Sequence, residues 1–232
     1  MPNALSLLLS RPVAALLAIF GLPEIAAEPM DERTLHTYER FTAERIDRGT
    51  GETVAPPGPV AGYLRWLGVH REVLFHGSRR GGLAELRTTR ESHDASAFGD
   101  QQAVFATDDP VWALFFAVLE RTDGFTSTRN ATIATSAAPL RRRYFFSVND
   151  GVPHGGDTGP GWLYVLPQAG FEYEPPRLGV LHTAQWVSRA PVRPLAAIAV
   201  APADFPFADR IGRHRDGESI LRTIWRARRL RT

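Results

Sequence analysis

The sequence predicts an α+β fold, with helices at the front of the chain and short strands through most of the rest. Many strand-like runs are separated by glycine and proline, and one clear helix stands among them. The connections between these runs are too short for the repeated crossovers of a parallel sheet. A length of 232 residues with 44% hydrophobic residues suits one domain of ordinary size with a substantial core.

Residues 1–60 are expected to form a helical region and linker ahead of the main domain, residues 61–232. Helices are predicted at 5–20, which is apolar, and at 31–48, which carries an apolar stripe at helical spacing. The stretch 49–59 is rich in proline and glycine and marks the boundary.

The apolar N-terminus also resembles a signal peptide. No basic residue precedes the first apolar run, Arg11-Pro12 interrupts the stretch, and the second run is too short to span a bilayer. A packed helix in a cytoplasmic protein without a membrane partner is therefore favoured, and a cleaved signal with secretion is the alternative.

In the main domain, the pattern predicts a short helix at 60–67 and a longer one from about 108 to 121. Asp109 and Pro110 support this second start, since an acidic cap and an early proline favour a helix N-terminus. An arginine-rich amphipathic helix is expected at 216–230, either docked on the domain or contacting nucleic acid or an acidic partner. Strands are predicted at 72–76, 103–107, 132–134, 144–148, 162–166, 185–188 and 195–200.

Composition excludes several kinds of chemistry. All 27 lysine and arginine positions are arginine, which excludes Schiff-base lysines and a phosphate-binding P-loop lysine. The absence of cysteine excludes disulfides, thiolate nucleophiles and cysteine zinc sites, and the scattered histidines lack metal-ligand spacing. No metal is therefore expected, and a net charge of +2 favours no class of partner.

Three segments carry the candidate site. The first is a strand ending in His76-Gly77-Ser78, where the histidine can face a cleft and the glycine lets a ligand approach the backbone. The second is the strand 103–107 with the helix that follows it and carries paired phenylalanines. The third is the strand that opens with Gln185.

Together these segments, between about residues 70 and 205, resemble the ADP-ribosyltransferase superfamily, in particular its branch of poly(ADP-ribose) polymerases and diphtheria toxin. In that branch the first strand carries His-Gly-Ser or His-Gly-Thr, the second motif has two aromatic residues, and the third strand opens with a glutamate. Here Phe105 and Phe116, or alternatively Phe115, stand for the aromatic pair, and Gln185 stands where the glutamate is expected. The resemblance implies two small mixed or antiparallel sheets around a cleft, preceded by N-terminal helices.

The resemblance also implies NAD as substrate. The rings of Phe105 and Phe116 would sandwich the nicotinamide, and the backbone of Gly77 would pair with its carboxamide. His76 and the residue at position 185 are the catalytic positions.

Other residues of the first motif would hold the rest of the dinucleotide. His76 would hydrogen-bond the adenosine ribose and Ser78 the nicotinamide-side ribose, while Arg79 or Arg80 would reach the diphosphate. The residues also have structural alternatives: a core histidine, core aromatic rings and a serine that caps a turn.

Gln185 leaves the function open, because a glutamine keeps hydrogen-bonding capacity but lacks the charge that steadies an oxocarbenium-like ribose. Losing such stabilisation costs on the order of a hundredfold or more in rate. The chain is therefore predicted to be an NAD-dependent ADP-ribosyltransferase or NAD glycohydrolase, with a protein or nucleic-acid acceptor left open. The alternatives are an inactive module that binds NAD, ADP-ribose or nucleic acid, an arginine-rich interaction protein, or an enzyme in which Glu172 or Glu174 replaces the missing acid.

Overall fold

The computed structural model describes residues 10, 12–15, 18, 20–26, 29–88, 98, 101–136, 138–153, 156–219 and 222–224. Its architecture is α+β, as predicted, with helices packed on two sheets of mixed and antiparallel strands. No helix within these residues is long and apolar enough to cross a membrane.

Three α-helices and two short 3₁₀ helices have complete bounds in the described chain. They are α1 (Glu32–Arg45), α2 (Val60–His70), α3 (Pro110–Val118), and the 3₁₀ helices Pro202–Asp204 and Ala208–Arg210. Of the helix predicted at 5–20, the described residues 10, 12–15 and 18 are helical, residue 20 lies in a turn, and the others lie outside the described residues.

Local capping explains where the helices start. Asp31 Oδ1 accepts a hydrogen bond from the Thr34 N–H at 2.7 Å and begins α1. Asp109 begins α3 in the same way, with Pro110 in the first turn as predicted. The helix ends at Val118 rather than near 121, because Leu119 already has extended backbone angles.

The start of the C-terminal helix was predicted wrongly. Residues 216–219 form a turn and coil rather than helix, because Gly217 has a φ of 75°, in the left-handed region that interrupts a right-handed helix. Ser219 then caps the residues 222–224, which are helical. The remainder of the predicted helix lies outside the described residues.

Within the described residues, ten strands form the two sheets, and all seven predicted strands are among them. They are β1 (Val73–Ser78), β2 (Val104–Thr107), β3 (Thr128–Thr135), β4 (Ala138–Asn149), β5 (Gly161–Pro167), β6 (Glu172–Tyr173), β7 (Leu181–His182), β8 (Gln185–Ser188), β9 (Ala196–Val200) and β10 (Gly212–His214).

The larger sheet has the order β6-β8-β2-β1-β5-β9 and is antiparallel throughout. Its central strand, β1, pairs with β5 along all six of its residues but with β2 at one position, Phe75 opposite Thr107. The smaller sheet has the order β10-β4-β3-β7, and β10 runs parallel to β4. In the larger sheet, β1 and β2 are therefore only weakly paired with each other, although both lie in its middle.

One hydrophobic core joins the helices to both sheets. It contains Tyr38 of α1, Leu64 of α2, Leu114 of α3, Phe75 of β1 and Phe146 of β4. Fully burying a side chain of this size contributes about 1.5–3 kcal/mol. The core therefore fixes α3 against β1, where the candidate site begins.

A second, smaller core lies on the opposite face of the larger sheet. It includes Leu74 and Tyr164, which alternate in direction with their neighbours in the first core.

The proline- and glycine-rich stretch 49–59 is fixed to the edge of the larger sheet. The N–H of Gly51 donates to the carbonyl of Leu195 at 3.0 Å, and that of Val54 to the carbonyl of Ala197 at 2.8 Å. Val54 is buried in the main core. The division of the chain at residue 60 stays a prediction.

Candidate functional site

The three predicted segments lie on three neighbouring strands of the larger sheet, β1, β2 and β8. Phe75 is opposite Thr107, and Thr107 is opposite Gln185. Segments more than 100 residues apart in the chain therefore meet in one row across the sheet.

His76 joins the first two strands through its side chain. Its Nδ1 lies 2.7 Å from the carbonyl oxygen of Phe105. A carbonyl can only accept, so Nδ1 carries a proton, and in the neutral ring Nε2 is an acceptor. The two strands have one registered backbone pair, and the imidazole thus forms a link just beyond the point where they separate.

The side chains of His76 and Gln185 start on opposite faces of the sheet. Residues directly opposite one another share a face, so Gln185 lies on the face of Phe75, and His76 follows Phe75 by one residue. The fold places β1 and β8 on either side of β2, but the side chains of His76 and Gln185 do not contact each other directly across it. A ligand that contacts both would have to lie where β1 and β2 part.

Gly77 is required by the packing of α3. A Cβ added there would lie 1.9 Å from the Ala113 carbonyl oxygen and 2.6 Å from the Ala117 nitrogen. This close approach of strand and helix is a structural reason for the glycine, besides the ligand contact that the sequence suggested.

Ser78 and Arg79 both have protein partners. The Ser78 hydroxyl accepts a hydrogen bond from the Arg80 N–H at 3.0 Å, so it caps a turn directly after β1. The Arg79 guanidinium forms an ion pair with Glu120. An anionic ligand at Arg79 would compete with this carboxylate.

Phe105 and Phe116, the predicted aromatic pair, are both half-buried. Phe115 is fully buried against Phe146, with ring centroids 4.6 Å apart, and belongs to the core. Of the two adjacent phenylalanines on α3, Phe116 therefore has the ring that a ligand could reach.

Gln185 is buried, and a buried acid, Glu174, lies beside it directly after β6. The Glu174 N–H donates to the Gln185 carbonyl at 2.9 Å. Glu174 Oε1 accepts two hydrogen bonds from Arg177, at 3.1 and 2.9 Å, and its other oxygen accepts from Thr183. The charge of this carboxylate is therefore already offset. Glu172, the other stand-in acid, is exposed.

Tyr164 positions the chain after β1, and sequence reasoning missed it. It lies opposite His76 on β5, and its hydroxyl donates to the Arg80 carbonyl at 2.8 Å and accepts from the Leu83 N–H at 3.1 Å. Burial raises the pKa of Tyr164, so it remains a donor. The apolar sequence of β5 does not indicate this role for Tyr164. The sequence also does not indicate that Glu120 pairs with Arg79.

A cavity of about 170 Å³ lies between the two sheets and contains none of the predicted site residues. We call it the inter-sheet pocket. Its lining residues are Asp108, Thr132, Ala134, Arg142, Tyr173, His182 and Ala184.

The wall of this pocket at the start of α3 is a charge network in which Asp109 and Tyr144 are buried and Asp108 and Arg142 are half-buried. Asp109 caps the helix through Oδ1, which accepts from the N–H groups of Val111 and Trp112 at 2.8 and 3.1 Å. Its Oδ2 accepts from the Tyr144 hydroxyl at 2.9 Å and lies 3.1 Å from Arg142 Nη1.

Arg142 also lies 2.9 Å from Asp108. Burial opposes the charge of Arg142, but Asp109 and Asp108 outweigh burial and raise its pKa above the ordinary value. Burial and Asp109 likewise raise the pKa of Tyr144.

Comparison with known proteins gives no relatives: no protein-family model, curated protein or solved structure matches this chain. Across the part of the chain that the structure describes, no three histidine or acidic side chains are grouped so that they could hold a metal ion.

Proposed function

We propose that this chain is an ADP-ribosyltransferase-type domain that binds NAD at the junction of β1, β2 and β8. The observation that carries the proposal is the hydrogen bond from His76 to the Phe105 carbonyl, at the point where β1 and β2 separate. Two motifs that the sequence sets 29 residues apart are linked there by the candidate histidine itself. The third motif is on the next strand of the same sheet.

The geometry supports a role for each element of such a site. The Phe105 carbonyl fixes the orientation of the His76 ring, at the position where the resemblance implies a contact with a ribose hydroxyl. The half-buried ring of Phe116 on α3 can stack on a planar group such as nicotinamide. Arg79 can pair with a diphosphate if the ligand displaces Glu120.

The activity we propose is ADP-ribosyl transfer or NAD hydrolysis with slow turnover. The bond between nicotinamide and ribose breaks with its electron pair leaving on the nicotinamide, and the ribose carbon bonds to the acceptor nucleophile or to water, which releases one proton to solvent. Gln185 can hydrogen-bond the ribose but cannot offset its developing positive charge, which lowers the rate by on the order of a hundredfold or more.

A second candidate is a module that binds NAD or ADP-ribose without turnover. It is favoured by the charge balance around Gln185, because the neighbouring Glu174 is held by Arg177. In this case the same cleft would bind the dinucleotide, or a nucleic acid, as a recognition surface.

The deciding experiment is NAD turnover by the purified chain, followed as nicotinamide release. We expect slow release from the wild type, loss of release in His76→Ala, and an increase of tenfold or more in Gln185→Glu. His70→Ala is the matched control, because His70 also has its Nδ1 at a backbone carbonyl, that of Trp66, but lies on α2.

Calorimetric titration with NAD separates the two candidates. Saturable binding without release from the wild type, together with release from Gln185→Glu, would favour the binding module. Neither binding nor release from any variant would contradict both candidates.

A further inference from the structure

The inter-sheet pocket has polar and apolar walls, which come from both sheets. Thr132 and Ala134 come from β3, Arg142 from β4, and His182 from β7, while Asp108 follows β2. A water molecule occupies about 30 Å³ in the liquid. The pocket volume of about 170 Å³ therefore holds roughly half a dozen heavy atoms. The pocket therefore fits one functional group of a ligand or a single side chain.

Thr132 presents a buried hydroxyl that needs a partner. The residue is 1% exposed, and Oγ1 has no hydrogen-bond partner among the described residues. A buried hydroxyl without a partner is destabilising, and native proteins retain few such groups. The neighbouring Thr128 on the same strand donates its hydroxyl to the Ser147 carbonyl at 3.0 Å, as most buried hydroxyls do.

A strained residue lines the same pocket. Ala184 has a φ of 60°, in the left-handed region that residues with a Cβ seldom occupy. Such strain is often found at ligand sites, where the surrounding structure holds it.

The charges of the pocket select against ions. Of the lining residues, Arg142 repels a cation and Asp108 repels an anion, and the ion pair between them sets a hydrogen-bond donor beside an acceptor. The Tyr173 hydroxyl and His182 Nδ1 are 3.0 Å apart and add a neutral hydrogen-bonding pair. Burial raises the pKa of Tyr173 to about 12, so its hydroxyl keeps its proton at neutral pH.

We propose that the inter-sheet pocket is a binding site for a carboxamide, whose N–H₂ meets Asp108 and whose carbonyl meets Arg142 and the Thr132 hydroxyl. The carboxamide has a donor beside an acceptor and no net charge, which is what this wall complements. Its source is a free small amide or the side chain of an asparagine or glutamine. The site does not depend on NAD binding at the other end of β2, and either proposal can fail while the other stands.

The test uses ¹³C-methyl alanine NMR of the full chain, because Ala134 and Ala184 line the pocket. Propionamide should shift both methyl signals saturably. Propionate and propylammonium, its charged counterparts, should shift them at least tenfold more weakly at equal concentration. The exposed Ala199 should not move with any of them. Absence of saturable shifts, or equal shifts with an ion, would overturn the proposal.

Thr132→Val supplies a second, opposite readout. It removes the hydroxyl at constant shape, so it should abolish the propionamide shifts and raise the melting temperature by about 2–4 °C. Thr128→Val, which removes a bonded hydroxyl, should lower the melting temperature and keep the shifts. If Thr132→Val lowers the melting temperature as much as Thr128→Val does, the Thr132 hydroxyl is already hydrogen-bonded in the folded protein and the proposal is wrong. Tyr173→Phe should weaken propionamide binding and is the fallback if Thr132→Val does not fold.

The source is then separated with two further probes. Saturable shifts with nicotinamide but not with N-acetylglutamine amide would assign the site to a free small amide. The reverse result would assign it to an amide side chain.

Discussion

The two ends of β2 are built from different kinds of contact. At the Phe105 end, the contacts are to the backbone: His76 binds a carbonyl, and Gly77 lies against the backbone of α3. At the Asp108 end, the contacts are between charged side chains, with Arg142 between Asp108 and Asp109. The Phe105 end depends on small residues at fixed positions. The Asp108 end depends on a charged side chain from β4, a strand that is distant in the sequence.

This difference decides what each end tolerates. Backbone contacts fail when a side chain is added, because a helix cannot move away from one strand without disturbing its other contacts. A buried charge network fails when one charge is removed, because the others lose their compensation while they remain buried. Each end should therefore be most sensitive to the substitution that disrupts its own kind of contact.

The largest loss of stability is expected from Asp109→Ala. The substitution removes the cap of α3, the partner of the Tyr144 hydroxyl and one of the two acids at Arg142. A helix cap contributes about 1 kcal/mol, and breaking a buried ion pair costs about 3–5 kcal/mol. We expect the free energy of unfolding in urea to fall by about 3–5 kcal/mol.

Arg79→Gln is the control for this prediction. Its ion pair with Glu120 is about one third exposed on each side chain. Pairs of this kind contribute about 0–1 kcal/mol. Equal losses in the two variants would show that the Asp108 end is not the buried network described above.

Gly77→Ala should cause the next largest loss. The added Cβ meets backbone atoms of α3 at 1.9 and 2.6 Å, so strand and helix must separate. Overpacking of this kind costs about 1–3 kcal/mol, and the fixed backbone places the expectation near the upper limit. Denaturant unfolding measures it, with Gly212→Ala as the strand control, because there the nearest atom is 3.4 Å away. A loss below that of the control would contradict the packing reason for Gly77.

Local signals made the secondary-structure elements around β2 predictable from the sequence. Asp109 and Pro110 indicate the start of α3, and β8 has the predicted bounds, Gln185–Ser188. The motif at His76 marks the strand that carries the candidate site. Hydrophobic periodicity and helix capping depend on residues that are close in the sequence. They can therefore be recognised from the sequence alone.

The Asp108 end could not be predicted, because its contacts depend on register and on distant elements. Arg142 is one of three consecutive arginines, and the sequence does not show which of them faces α3. The strands β6, β7 and β10 have two or three residues each and exist through pairing with distant strands. For the same reason, the opposite faces of His76 and Gln185 became visible only with the strand register.

The smallest expected effect concerns His182, which lies in the inter-sheet pocket between the Tyr173 hydroxyl and the Ser136 hydroxyl. Burial lowers its pKa below the ordinary value of 6.5; Asp108 opposes this shift and Arg142 reinforces it. Below about pH 6.5 the unfolded chain therefore takes up a proton that the folded chain does not, and stability falls with pH. Above that value the contribution is constant.

His182→Gln should remove this part of the acid sensitivity. The free energy of unfolding of the variant should fall less than that of the wild type between pH 7 and pH 5, by no more than about 1.4 kcal/mol for each pH unit. A residual slope is expected, because burial also lowers the pKa of His214. Parallel pH profiles for wild type and His182→Gln would mean that His182 titrates as freely in the fold as in the unfolded chain. The Asp108 end would then be open to solvent, and its charges would be too well hydrated to act as the buried network that distinguishes it from the Phe105 end.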